Sequence, residues 1–136
     1  MISRTNAWLT LWVALGSMLG SLARHAIQIT LDSPDAGAFP TATLVVNTVG
    51  SVAIGWLAGL KLPTDHWLAH LGWRQFLMTG VCGGFTTFSI FSLQTLSLIE
   101  QQLWLTALGN ITLTVALMMG GVALGYRLAQ NRASKT

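Results

Sequence analysis

Residues 79–94 read TGVCGGFTTFSIFSLQ. They lie inside a 25-residue window, 75–99, that holds no charged residue. About 20 apolar residues cross the hydrocarbon core of a bilayer, so the window is long enough to span. Its centre is unusual for a spanning helix: Gly83 and Gly84 are followed by Thr86 and Thr87, then by Phe88, Ser89, Phe91 and Ser92. A glycine pair invites a helix to break. In lipid a break leaves backbone groups unpaired unless they are buried in protein or line a cavity. The stretch therefore reads as a membrane helix broken near Gly83-Gly84, at a binding or conduction site.

The surrounding chain gives that reading its setting. Of 136 residues, 52% are hydrophobic and only 8% charged, against roughly 25% charged in a soluble domain. The eleven charged residues all fall outside four windows, 5–23, 36–60, 75–99 and 101–126. Each window is long enough to span, the last three with room for tilt. The expectation is one transmembrane domain over residues 1–136, all-α, with helices at about 7–29, 41–60, 75–99 and 103–126. The first window could instead be read as a signal peptide, with Arg4 ahead of it and Ser21-Leu22-Ala23 as a cleavage-like pattern. Gly16 and Gly20 look like packing positions and favour a helix that stays. The net charge of +3 comes from cations scattered at window ends, which suits headgroup anchoring to membrane lipid rather than nucleic acid. The single cysteine, Cys82, excludes an internal disulfide and a cysteine zinc site. His66 and His70 have i, i+4 spacing, but no Cys or Glu stands near to complete a metal site.

Small and polar residues mark the helix faces. Gly16–Gly20, Gly55–Gly59 and Gly121–Gly125 are small-xxx-small pairs that let helix backbones approach in lipid. Trp8, Trp12, Trp67 and Trp73 fit interfacial aromatic belts. Arg24, after one short window, anchors at a headgroup or faces a water-filled vestibule. Thr43, Asn47, Gly50 and Ser51 share one face of the second helix. Asn47 is either an interhelical hydrogen-bonding group or a donor lining a polar track. In the fourth helix Asn110 and Thr114 stack at i, i+4, near Thr106 and Thr112.

No window carries Asp, Glu, Lys or Arg at its middle. That argues against proton-coupled transport, which relies on an intramembrane carboxylate. It argues equally against catalysis, since no buried nucleophile has a base to activate it. Any permeant must be handled by Ser, Thr and Asn side chains and by backbone groups freed at the break. Free N–H groups favour a small anion, and phenylalanine ring edges carry partial positive charge. Phe88 and Phe91 are three apart on one face, a spacing that ordinary packing also produces. Freed carbonyls suit a hard cation such as sodium. Four helices barely enclose a pore, so a dimer is expected.

GGFTTFSIFS, with TLVVNTVGS in the second helix and GSMLGSLAR in the first, resembles the Fluc (CrcB) fluoride channel family over nearly the whole chain. The resemblance implies a passive fluoride channel that exports cytoplasmic fluoride across the cell (inner) membrane and reduces its toxicity. It implies an antiparallel, dual-topology dimer with two pores and a structural sodium ion at its centre. By motif, Phe88 and Phe91 would be the pore phenylalanines and Asn47 the second-helix pore asparagine. Thr87 and Ser89 would be their neighbours, and Thr114 a fourth-helix hydroxyl of the polar track. Gly83 and Thr86 would offer sodium their backbone carbonyls, and Arg24 would sit at a vestibule. Gln94 stands where the family often has Glu, Asn110 where Tyr is common, and Met118 where some members have Ser. Asn110 or Thr112 would then substitute in the track.

Two other features bear on the assembly. Arg4, Lys61, Arg74, Arg127, Arg132 and Lys135 would share one side of the membrane and Arg24 the other, a positive-inside bias. A homodimer of opposed copies needs both insertions, so an opposite-facing paralogue is an alternative partner. The competing functional readings are a four-helix multidrug-type exporter, which lacks its required carboxylate, and a membrane scaffold or exporter subunit without channel activity, in which the glycine faces are packing alone.

Overall fold

A computed structural model describes residues 4–32, 37–61 and 66–133, and all regular structure among them is helical. The loop signals at 33–36, and Pro63, Asp65 and Lys135, lie outside the described residues. Helix α1 is Arg4–Leu31 and α2 is Thr41–Gly59. After a 3₁₀ turn at Trp67–Ala69, three segments run on without interruption: α-helical Leu71–Arg74, a more widely wound π-helical Gln75–Cys82, and α-helical Gly83–Phe85. Together they make α3, residues 71–85. Helix α4 is Phe88–Glu100 and α5 is Trp104–Ala133. The first and last helices extend beyond the windows of the sequence, α5 carrying its cation Arg127 within the helix. Among the described residues, three helices are long and apolar enough to cross a membrane: Thr41–Gly59, Leu71–Glu100 with its break, and Trp104–Asn131.

The helices associate as two parallel pairs, and glycines on both members of each pair set the distance. A Cβ on Gly16 would run into the Phe76 carbonyl, and one on Gly20 into that of Val81. On the facing helix Gly80 abuts the backbone of Gly16, and Gly84 that of Ser17. Helices α2 and α5 repeat the device: Gly55 lies on the Val122 backbone, Gly59 on Tyr126, and Gly125 on Val52 and Trp56. Residue numbers advance together along each contact, so both pairs run parallel. Lipid gives no hydrophobic drive between helices, and this close van der Waals approach replaces it. Hydrogen bonds reinforce the first pair. Ser17 Oγ donates to the Gly80 carbonyl (3.4 Å), and Ser21 Oγ and Arg24 Nε both donate to that of Gly84 (each 3.3 Å).

The connections have local causes. Pro40 begins α2 without a capping side chain, and Asp32 Oδ1, just past α1, instead accepts from the Ala42 N–H at 3.3 Å. His66 Nδ1 accepts from the Leu68 N–H (3.2 Å), so it caps the 3₁₀ turn. Trp12, Trp67, Trp73 and Phe76 gather at one end, with Trp12 and Trp73 ring centroids 5.0 Å apart. Between α4 and α5 the chain reverses within three residues, and Gln102 takes φ 62°. The left-handed region costs a residue with a Cβ about 1–2 kcal/mol and glycine nothing. Gln102 is exposed, so Gln102→Gly should raise stability by about 0.5–1 kcal/mol net of glycine's extra unfolded-state freedom. A higher thermal midpoint in detergent checks it.

Candidate functional site

The break falls two residues later than its local sequence suggests. Gly83, Gly84 and Phe85 are still helical. Extended backbone occurs at Thr86 (φ −79°, ψ 156°) and Thr87 (φ −148°, ψ 122°). The expected break at Gly83-Gly84 is corrected accordingly. The physical reason lies on α2. Asn47 is 1% exposed, and its side-chain amide holds both backbone groups of Thr87. The Thr87 N–H donates to Asn47 Oδ1 (2.7 Å), and Asn47 Nδ2 donates to the Thr87 carbonyl (2.9 Å). A buried amide that pairs two opened backbone groups removes the main cost of leaving the helix in lipid. The nearby glycine pair has a different use. Gly84 packs against Ser17, whereas a Cβ on Gly83 would meet nothing within 4 Å.

The break takes the helical donors away from the Gly83 and Thr86 carbonyls, among others at the end of α3. A continuous helix would send the Thr87 N–H to the Gly83 carbonyl and the Ile90 N–H to that of Thr86. The first goes to Asn47 and the second to Thr87 Oγ1 (3.2 Å). Thr87 is therefore the N-cap of α4, and its hydroxyl also lies 3.3 Å from Ser89 Oγ. Thr86 stays tied to the end of α3, its N–H and hydroxyl both donating to the Cys82 carbonyl at 3.0 Å.

Phe88 and Phe91 open α4 with ring centroids 5.5 Å apart and planes tilted by 46°. They are unequally covered: Phe88 is 75% exposed and Phe91 8%. Gly83, Phe88, Ser89, Ser92 and Leu93 are all exposed, so this side of the break is open in a single chain. Arg24 is half-buried and reaches the break through its bond to Gly84, one positive charge beside a stretch, 75–99, that has none.

A second polar cluster lies behind Phe91. Thr114 Oγ1 donates to Asn110 Oδ1 (3.3 Å), Asn110 Nδ2 donates to Thr95 Oγ1 (2.8 Å), and Thr95 Oγ1 donates to the Phe91 carbonyl (2.7 Å). All three side chains are buried. Thr95 escapes a reading of the 79–94 motif because it lies one residue beyond it. The signal that finds it is its i+4 position from Phe91, where a hydroxyl in an apolar helix reaches back to a carbonyl. Thr112, considered for the track, instead donates to its own helix at the Leu108 carbonyl (2.8 Å). Two further buried oxygens, Thr43 Oγ1 and Gln94 Oε1, have no hydrogen-bond partner among the described residues.

Comparison with known proteins places this arrangement. Residues 11–126 match the family model described as CrcB-like protein, Camphor Resistance (CrcB). The chain is 46% identical over 114 residues to the fluoride-specific ion channel FluC of Paramagnetospirillum magneticum, covering 84% of this chain and 89% of that protein. It is 46% identical over 118 residues to FluC of Opitutus terrae, covering 87% and 89%. With FluC of Rhodospirillum rubrum the identity is 44%, over 85% and 90%.

Proposed function

This chain belongs to the CrcB family, a family of channels and not of enzymes, and from that premise we propose that it is a passive, fluoride-selective channel that lets fluoride out of the cytoplasm. The observation that carries the reading is the clipped break. Within the uncharged stretch 75–99, two residues leave the helix under the grip of Asn47, and a new helix begins with Phe88 and Phe91. The first N–H groups of a helix lack intrahelical acceptors and carry partial positive charge. A small anion is favoured there, and the phenylalanine edges add to the attraction. Donors still free for it are the Thr43 hydroxyl and the second amide hydrogen of Asn47. Ser89 lies at the open side of the break, 3.3 Å from the Thr87 hydroxyl, and Arg24 adds long-range attraction.

The functional unit is a dimer of opposed copies in the cell membrane, with α1 as a fourth span. The open side of the break supports this, since a second copy would cover Gly83 and Phe88. The carbonyls of Gly83 and Thr86 are hard oxygen donors of the kind sodium takes, and those of two copies would hold it. Bound sodium would supply fixed positive charge at the break and join the copies. An opposite-facing paralogue remains the alternative partner. A non-conducting scaffold is the second functional reading, favoured by the glycine packing of both helix pairs.

A fluoride electrode on liposomes carrying the purified protein separates these readings. The channel predicts rapid fluoride release without a proton gradient, with Phe88→Ile and Phe91→Ile lowering the rate by at least about tenfold while the protein still elutes as a dimer. A tenfold change corresponds to roughly 1.4 kcal/mol, a modest share of ring-edge stabilisation in a desolvated path. No release from wild-type protein leaves the scaffold. Dissociation of the phenylalanine variants into monomers makes those rings structural.

A further inference from the structure

We infer that Thr95, Asn110 and Thr114 form one hydrogen-bonded chain that positions Phe91, so that Asn110 and Thr95 are positioning residues for conduction. The inference rests on the channel reading for its flux readout, but its structural part stands separately. A carbonyl only accepts, so at the Phe91 end the single hydroxyl hydrogen of Thr95 is committed to that carbonyl at 2.7 Å. Thr95 Oγ1 then accepts, and the Asn110 amide donates to it at 2.8 Å. This leaves Asn110 Oδ1 to accept from Thr114 at 3.3 Å. Every donation runs toward Phe91.

Two consequences follow. The hydroxyl hydrogens of Thr95 and Thr114 are both occupied, so neither donates to an anion while the chain is intact. Thr114 therefore acts through Asn110 rather than by direct contact. The second consequence concerns stiffness. A hydroxyl that bonds the carbonyl four residues back tilts that peptide and bends its helix. The Phe91 peptide is thereby held from α5, while Asn47 holds the Thr87 peptide from α2. Two side-chain amides on two different helices thus fix the first turn of α4 at both ends, which sets the angle at which the buried Phe91 ring meets the exposed Phe88 ring. Buried polar networks rigidify as their members find partners, and each of the three side chains here is hydrogen-bonded to the next.

The test combines flux with a probe on the ring. Thr95→Val and Asn110→Leu each remove two bonds of the chain and should each lower fluoride efflux from liposomes by about tenfold. The double variant should be no slower than the slower single variant, because both cut the same chain. Thr95→Ser keeps the hydroxyl and should stay within about twofold of wild type. The ring is read in fluoride-free detergent by fluorine NMR of 4-fluorophenylalanine placed at position 91. In Asn110→Leu its resonance should shift or broaden, while the same label at position 76 should not change. Wild-type flux in Thr95→Val, losses that multiply in the double variant, or an unmoved resonance at 91 would each overturn the proposal. If Thr95→Val does not fold, Thr114→Val is read the same way, with a smaller shift of the same resonance expected and an unmoved one counting against. If wild-type protein does not conduct, the channel reading fails while the resonance still reports on the positioning.

Discussion

Asn47→Leu should abolish fluoride efflux and markedly destabilise the protein. Leucine fills a similar volume but offers nothing to the Thr87 N–H and carbonyl, which Asn47 holds at 2.7 and 2.9 Å. A buried polar group left unpaired costs about 1–3 kcal/mol, so two cost about 2–6 kcal/mol, a large part of a typical domain's net stability. The chain has two ways to respond: it unfolds around the break, or it closes Thr86 and Thr87 into the helix and swings Phe88 and Phe91 out of position. Either response lowers flux by at least about a hundredfold. Asn47→Asp gives a sharper comparison. It keeps an acceptor for the Thr87 N–H but sets a second oxygen against the Thr87 carbonyl, so it should rescue neither flux nor stability. Thermal unfolding in detergent and fluoride-electrode traces on liposomes read the two effects. Wild-type melting and flux in Asn47→Leu would show that the break holds without its clip.

Gly84→Ala and Gly83→Ala should have opposite effects although the residues are neighbours. A Cβ on Gly84 would fall on the Ser17 backbone, which has no flexible end to yield. Helices α1 and α3 would have to separate, with loss of the Ser17, Ser21 and Arg24 bonds to α3. Overpacking costs about 1–3 kcal/mol even where side chains can adjust. Against rigid backbone the expectation is the upper end of that range or more, with little folded protein recovered. Gly83 is helical (φ −66°, ψ −36°) and open. Alanine there should leave the protomer as stable as before or more so, by up to about 1 kcal/mol from helix propensity. In the proposed dimer its effect should appear only in the assembly, as weaker dimerisation on size exclusion, because a second copy would meet the added methyl group. Equal behaviour of the two variants would remove the distinction between an inner and an outer glycine.

Much of the candidate site was legible because it is chemistry written in a short run. Phe88 and Phe91 follow a three-residue spacing, and their rings do lie together at the start of α4. The stripe Thr43, Asn47, Gly50 and Ser51 is buried as its helical spacing requires. Gly16, Gly20, Gly55, Gly59 and Gly125 all meet a facing backbone, as small-xxx-small pairs imply. Two features of the packing are less visible in the sequence. Gly80 and Gly84 complete the first helix pair, but the second of them sits inside the motif, where it reads as a breaker. Thr95 carries no pattern of its own and gains meaning only from Asn110, fifteen residues away.

The sequence by itself determined the solvent, the helical class, the absence of charge at membrane depth and the family, because each is a property of composition or of a local run. Only the tertiary structure decided where the third span breaks and what holds it open. Local propensity points to Gly83-Gly84, where the backbone is freest. The fold breaks instead at Thr86 and Thr87, because there Asn47, forty residues earlier, supplies both hydrogen bonds that an opened peptide needs. In lipid the cost of a break is set less by the torsional freedom of the breaking residues than by whether their released backbone groups find partners. Those partners are named by the packing of helices and not by the residues that break.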